Sequence, residues 1–413
     1  MNTAKYLQRS TLYPIEPVSA ALREKSHFAV IPVYDELDHI ALTLKSVKAA
    51  MKLSPEPVKV ILVINEPLDA PAEARQHNRE LLASLRNNDG KYDGGLSVGC
   101  NLFYINLTDK EISYKFRNVG NARKAGFDGA IQASDGKVTD DSPLLFSLDA
   151  DTLIAVDYFE KALFWAESHP KDAGAVFHFA HRFESGDPAV NQAAMQYEIY
   201  LRDYAWKVKQ TTSPYAFWTI GSAFMCRMAS YIACGGMRRN AAGEDFYFLQ
   251  ALAKVGKVGI VPRTAVYPSG RISARVPFGT GPAIAKAVGG QAVLLYNQKC
   301  FDILKDFFAG CAQAEYSVLA DNIKIFANEY LIMFFDTLGF SDIWAKIVKN
   351  TPRRHDALLK ALHTSCDGFF IMKFCHFLEE KYPLEFARQP ITVEGDAMEY
   401  LQKLRQLDCD RFI

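Results

Sequence analysis

Two carboxylates, Asp149 and Asp151, stand one residue apart in Ser147-Leu148-Asp149-Ala150-Asp151-Thr152, directly after the apolar run Leu144-Leu145-Phe146. The run reads as a buried strand. A strand alternates its side chains, so residues two apart share a side. Two carboxylates on one side of a strand end can share a hard divalent cation, and such a cation usually keeps positions for substrate phosphates. The chemistry this points to is metal-assisted transfer from a nucleotide-activated donor. A plainer alternative stays open: Asp151 caps the helix joined by Asp157-Tyr158-Phe159-Glu160.

Other residues suit the same chemistry. Arg271 and Arg275 lie four apart in Ser269-Gly270-Arg271-Ile272-Ser273-Ala274-Arg275, with Gly279-Thr280-Gly281 after them. Guanidinium forks match phosphate oxygens two at a time, and glycine N–H groups add anion donors. A solvent-exposed basic turn is the alternative. Glu36 follows an apolar run, and its carboxylate accepts hydrogen bonds from sugar hydroxyls or a base N–H; helix capping by Asp35 or Glu36 is the competing reading. Asn65 ends a second apolar run, and its amide both donates and accepts. Phe217 and Trp218 offer either an acceptor platform or core. His178 and His181, three apart, suit a metal only on a helix, and their surroundings read as a strand.

These residues need elements to hold them. Residues 28–34, 58–64, 102–107 and 144–148 read as strands, and 173–179 as a fifth. Helical patterns fall between them at 40–50, 70–86 and 119–133. This alternation predicts an α/β domain with a mostly parallel sheet. Ligands of such sheets gather at the carboxyl ends of strands, where Glu36, Asn65 and the Asp149/Asp151 pair all fall. Residues 190–209 read as helix, 217–225 as strand, and 244–252 as helix. Short strands follow at 258–261 and 265–267, and a loop at 268–290. Phe301, Ile303, Leu304, Phe307 and Phe308 share one helical face, and the C-terminal aromatics Phe334, Phe335, Phe369 and Phe370 read as core.

Composition narrows the class. With 413 residues, 49% hydrophobic and 23% charged, the chain is an ordinary globular sequence with two or three units at roughly 150 residues each. Lys plus Arg equals Asp plus Glu at 47 each, so no global field favours nucleic acid. The eight cysteines are scattered without paired ligand spacing, as in reduced cytosolic thiols. No secretory signal and no apolar run of roughly 18 residues is evident, so a cytoplasmic protein is expected, with contact at the inner face of a membrane left open.

Five motifs together resemble a family-2-type glycosyltransferase with the GT-A fold: Ile31-Pro32-Val33-Tyr34-Asp35-Glu36, Asn118-Val119-Gly120-Asn121-Ala122-Arg123-Lys124-Ala125-Gly126, Asp149-Ala150-Asp151, Gly235-Gly236-Met237 and Glu244-Asp245-Phe246. The resemblance covers about residues 27–280. It implies an arm at 1–26, a Rossmann-like GT-A domain at 27–290 with helices on both faces, and a helical extension at 291–413. It implies that Pro32 and Tyr34 shape the first turn, that Glu36 faces ribose or base, and that Arg123 lies near the nucleotide. It assigns Asp149 mainly to ribose, Asp151 to a Mg or Mn ion, and Asp245, beside Glu244, to the catalytic base of an inverting hexosyltransferase. An N-terminal helix charge is the alternative for that last pair. Gly120 and Gly126 would permit close packing of helix on sheet. The family's acidic residue before Gly-Ser is replaced here by Asn65-Glu66-Pro67.

The partners implied are a nucleotide-sugar donor and a sugar, small-molecule or lipid-linked acceptor, with no nucleic acid; a homo-oligomer stays open. Three rivals remain: a retaining GT-A synthase acting on a small phosphorylated acid, a sugar nucleotidyltransferase, and a non-catalytic nucleotide- or carbohydrate-binding module. The nucleotidyltransferase is disfavoured because Tyr34-Asp35-Glu36 stands where its glycine-rich basic loop belongs.

Overall fold

The computed structural model describes residues 3–108, 117–134, 143–239, 243–273, 279–391 and 396–411. Two compact units divide the chain: Met1–Met195, Thr219–Gly289 and Arg405–Ile413 form one, and Gln196–Trp218 and Gly290–Leu404 the other.

The first unit opens with helix α1 (Thr3–Leu7) and is built on strands β1 (His27–Val33), β2 (Val58–Asn65), β3 (Leu102–Leu107), β4 (Leu144–Ser147), β5 (Leu153–Ile154), β6 (Gly174–Phe179), β7 (Phe224–Arg227) and β8 (Val258–Tyr267). Among the described residues these make one sheet in the order β3-β2-β1-β4-β7-β6-β8-β5. The β3-β2-β1-β4 block is parallel, β6 pairs with β8 in parallel, and β7 and β5 run antiparallel to their neighbours. β1 and β2 are buried at every position, the pattern of strands covered on both faces.

Helices α2 (Leu37–Met51), α3 (Ala72–Asn87), α4 (Val119–Ala133), α5 (Tyr158–Ser168), α7 (Met228–Ala233), α8 (Glu244–Val255) and α9 (Thr280–Val288) complete this unit, with the start of α6 (Pro188–Gln210). The register fixes their sides. Phe146 is level with Ala29, and Ser147 with Val30; neighbours along a strand face opposite ways. The Phe146 ring meets Tyr158 and Phe159 of α5, whereas Gly126 of α4 lies against Val30 and Val63. Helices α5 and α4 therefore cover opposite faces, as the α/β expectation requires.

Three local expectations are corrected. The strand expected at 217–225 begins only at Phe224, and Phe217 and Trp218 are buried without belonging to a ladder. The two short strands at 258–261 and 265–267 are one strand, β8. Its pairing jumps from Val261 opposite Phe177 to Ala265 opposite His178, so Pro262-Arg263-Thr264 bulge out, with Arg263 at φ 60°. Third, the loop expected at 268–290 contains α9. Its Pro282 sits in the first turn, where a missing N–H costs nothing, and the Ala-rich run after it buries Ile284.

The second unit carries the later part of α6 and α10 (Gln298–Gln313), α11 (Tyr316–Asp321), α12 (Glu329–Leu338), α13 (Phe340–Asn350), α14 (His355–Ser365), α15 (Gly368–Lys381) and α16 (Pro383–Phe386), with the strand pair β9 (Leu294–Leu295) and β10 (Gln389–Pro390) and the start of α17 (Ala397–Arg411). Its core is aromatic. Phe301, Leu304, Phe307 and Phe308 are buried on one face of α10 with Cys300 and Cys311, while Ile303 packs at the margin. Phe335 stacks on Phe340 at 4.3 Å between centroids, and Phe334 meets Phe370 at 5.2 Å. Burying each such ring contributes about 1.5–3 kcal/mol. Asn297, Asn328 and Asp367 cap α10, α12 and α15 through their side chains, at about 1 kcal/mol each. Among the described residues no helix is long and apolar enough to cross a membrane.

Candidate active site

The strand directions bring the charged residues to one edge. β1, β2, β4, β6 and β8 all end there, and antiparallel β7 begins there. Helices α4 and α8 start from the same edge, so their positive dipole ends face it.

Arg271, four residues past β8, bridges two of those strand ends. Its Nη2 donates to both oxygens of Glu36, at 2.6 and 2.7 Å, and to Asp151 Oδ2 at 2.9 Å; its Nε reaches the same Asp151 oxygen at 3.1 Å. Glu36 precedes α2 but makes no capping bond, so its carboxylate is committed to the site. Burial pushes the Asp151 carboxyl above its ordinary value, and Arg271 opposes that shift. Asp151 is no helix cap either: α5 is preceded by Asp157.

Arg123 organises a second cluster. From α4 its Nε donates to Glu244 Oε1 at 2.9 Å and its Nη1 to Ser147 Oγ at 2.7 Å and Leu148 O at 3.3 Å, while its Nη2 pairs with Asp149 Oδ1. It is 2% exposed. Burial disfavours its charge, but Asp149 and Glu244 outweigh that and hold the guanidinium firmly protonated. Ser147 in turn donates to Gly221 O at 2.6 Å. A Cβ at Gly221 would strike the Arg123 guanidinium, so this glycine makes room for it.

Glu244 and Asp245 form the first turn of α8, after Gly243 at φ 69°. Glu244 is buried and Asp245 is half-buried. Asp245 Oδ1 accepts from the Phe246 amide at 2.7 Å. Burial, then the charge of Glu244, push the Asp245 carboxyl up to about 7, with Arg123 opposing. A carboxyl titrating near neutrality and open to one side has the properties of a general base.

Other anticipated residues take the following places. Pro32 is within β1, opposite Val63, one strand position before the turn rather than in it. Tyr34 is half-buried in the segment leading to Glu36. Asn65 ends β2 and is 5% exposed; its carbonyl accepts from Asn78 Nδ2 at 3.2 Å. Arg275 lies outside the described residues. His178 is on strand β6 and His181 just beyond it; both are buried, so the helical ligand pair is absent.

Residues passed over in the sequence also contribute. Arg182, just past β6, donates Nη2 to the Asp151 carbonyl at 2.7 Å and Nε to Tyr267 O at 3.2 Å. Thr43 Oγ1 donates to Ala150 O at 2.8 Å. Together they fix the backbone of the Asp-Ala-Asp turn. The available signal was position: Arg182 follows a strand end, where ligand-facing groups gather.

The Asp149/Asp151 pair offers only oxygen donors, suited to Mg or Mn. Among the described residues no group of three or more His, Cys, Asp and Glu side chains is placed to hold a metal ion. By the chemistry of its donors alone, the pair suits a cation held by one or two carboxylates and completed by substrate phosphates.

No protein-family model and no curated protein matches the chain. Among solved structures it is similar to residues 1–349 of TarS from S. aureus in complex with UDP-GlcNAc, at 14% identity over 87% of this chain and 92% of that one, TM-score 0.40. It is also similar to the mannosyltransferase PcManGT from Pyrobaculum calidifontis in complex with GDP-Man and Mn2+, at 12% identity over 89% and 93%, TM-score 0.36. Likenesses of this depth carry no argument about activity.

Proposed function

We propose that the chain is a metal-dependent glycosyltransferase that moves a sugar from a nucleoside-diphosphate donor to an acceptor hydroxyl with inversion. The observation supporting this is the convergence of Glu36, Asp149, Asp151, Glu244 and Asp245 with Arg123 and Arg271 at the carboxyl edge of the sheet. Glu36 receives ribose or base hydrogens. Asp149, oriented by Arg123, takes the ribose side. Asp151, with Asp149, would hold the Mg or Mn ion, which supplies positive charge for the donor diphosphate. Arg271, already between two carboxylates, is within reach of phosphate oxygens entering that space and pairs with them as a fork. Asp245 removes the acceptor hydroxyl proton as that oxygen attacks the anomeric carbon, the bond from that carbon to the donor diphosphate breaks, and the nucleoside diphosphate leaves with the electron pair; Glu244 stays tied to Arg123 as a fixed charge that keeps Asp245 basic near neutrality. The domain arrangement that goes with this reading is an arm at 1–26, a transferase domain at 27–290 and a helical extension at 291–413.

The test is donor hydrolysis across UDP- and GDP-sugars, with Mn2+ present or chelated. Metal-dependent release of one nucleoside diphosphate, together with inverted product once an acceptor is supplied, supports the reading. Pyrophosphate release from a nucleoside triphosphate and a sugar 1-phosphate, with no nucleoside diphosphate released from any nucleotide sugar, instead identifies a nucleotidyltransferase, and donor binding without turnover a binding module.

A further inference from the structure

The N-terminal arm meets the site's two helices from behind. Tyr6, in α1, is buried, and its hydroxyl donates to Asp128 Oδ1 at 2.7 Å. Asp128 is on α4, one turn past Arg123, and is wholly buried. Lys124, the residue after Arg123, pairs with Asp128 Oδ2 at 2.8 Å and donates to the Tyr6 hydroxyl at 3.1 Å. Tyr231 of α7 donates to the same Asp128 Oδ1 at 3.2 Å. Tyr6, Lys124 and Tyr231 thus surround one buried carboxylate and pin α4 directly beside Arg123.

The same tyrosine seats on the Gly235-Gly236 turn. Both glycines have positive φ, 88° and 74°, and a Cβ on Gly236 would land on the Tyr6 hydroxyl. Further along, Arg239 Nη2 donates to Thr11 Oγ1 at 2.6 Å, and Asn118, the cap of α4, donates to Arg239 O at 3.4 Å. This turn is tied to the base helix α8 by rings. Tyr231 meets Phe248 at 5.5 Å, and the Arg238 guanidinium lies 5.6 Å from the Tyr247 ring centroid. Tyr247 and Phe248 are in the first turns of α8, two and three residues after Asp245.

We infer that the arm, through Tyr6 and Thr11, is a positioning element for the reaction, setting α8 and its Asp245 against α4 and its Arg123. This inference rests on the glycosyltransferase reading, with Asp245 as base. Neither arm residue touches the Arg123–Asp149–Glu244 cluster, so neither is a catalytic residue. Their effect passes through Asp128, the glycine turn and the aromatic contacts. Small misplacements of a catalytic group carry large costs in rate, so a seat this far from the chemistry still controls it.

The test uses the full chain with Tyr6→Phe, Thr11→Val and Asp245→Asn, read by kcat, donor KM, the pH profile of kcat/KM and thermal unfolding. Tyr6→Phe keeps the ring and removes the bond to Asp128; Thr11→Val removes only the bond from Arg239. The expected result is a fall in kcat of about ten-fold for Tyr6→Phe and a smaller one for Thr11→Val, with donor KM within about two-fold and a shifted pH midpoint of kcat/KM. If Asp245→Asn abolishes turnover while both arm variants keep the wild-type kcat and pH midpoint and only unfold at lower temperature, the arm is merely structural and the inference is overturned. If Asp245→Asn keeps full turnover, the base assignment itself fails, and the inference with it.

Discussion

Arg123 donates its Nε to Glu244 at 2.9 Å, joining the N-terminal part of α4 to the first residue of α8 with both side chains buried. Removing one partner of a buried ion pair leaves the other charge uncompensated, which costs about 3–5 kcal/mol. Arg123→Ala is therefore expected to lower unfolding stability by that order, measured by urea titration. Arg123→Lys should recover only part, because an ammonium cannot reproduce the fork that reaches Glu244, Ser147 and Asp149 together. In a double-mutant cycle, Glu244→Gln should cost much less in the Arg123→Ala background than in wild type. Strictly additive losses would show that the two side chains do not stabilise each other.

Asp245 sets the pH behaviour. Burial and the neighbouring Glu244 charge push its carboxyl up to about 7 in the folded chain, against the ordinary carboxylate range when unfolded. In the proposed reaction the base must be ionised, so kcat/KM should rise with pH through about 7 and level off above. Stability runs the other way. The folded state holds the proton between the unfolded value and 7 while the unfolded state has lost it, so stability falls as pH rises through that window and is flat above it. Asp245→Asn should accordingly lose about 10²–10⁴-fold in kcat, and its melting temperature should exceed wild type most clearly above pH 7. A variant less stable than wild type at pH 8 would contradict the burial argument.

How much of this was legible in the sequence depends on whether the signal was local. The strands were plain because parallel strands buried on both faces are near-continuous apolar runs, as at Val60 to Ile64 within β2. Asp149/Asp151, Glu36 and Glu244/Asp245 were visible as carboxylates at element ends. Their pairing was not visible, because Arg271 and Glu36 are 235 residues apart and Arg123 and Glu244 are 121 apart. Arg182 acts through the Asp151 backbone, which no side-chain pattern announces. Helix α9 was lost behind Gly279, Gly281 and Pro282, residues that end a helix when inside it and begin one when at its start. The arm at 1–26 showed no sign of its seat, because the buried Asp128 under Tyr6 belongs to a helix 122 residues away.

Arg271 is paired with both Glu36 and Asp151. Arg271→Ala would leave two carboxylates facing each other without a counter-charge, a setting that draws in a cation. Mn2+ should then bind the donor-free protein about ten-fold more tightly, a gain of about 1.4 kcal/mol, as followed by calorimetric titration. Donor KM should rise at the same time, because a fork for the diphosphate is gone. Unchanged Mn2+ affinity would mean that Arg271 and the cation do not share Asp151.

Gly126 tests whether the seating of α4 on the sheet governs Arg123 one turn earlier. A Cβ there would overlap a Val30 methyl and come to 3.0 Å from Val63 Cγ2. Both valines are fully buried in β1 and β2, so neither has space to turn away, and the helix must lift. Gly126→Ala raises helix propensity by about 1 kcal/mol, yet overpacking of this kind costs about 1–3 kcal/mol, so the variant should come out less stable in urea. Lifting α4 also draws Arg123 back from Asp149 and Glu244, so kcat should fall in a protein with every charged site residue intact. Wild-type kcat in a clearly destabilised Gly126→Ala protein would separate the packing of α4 from the geometry of the site.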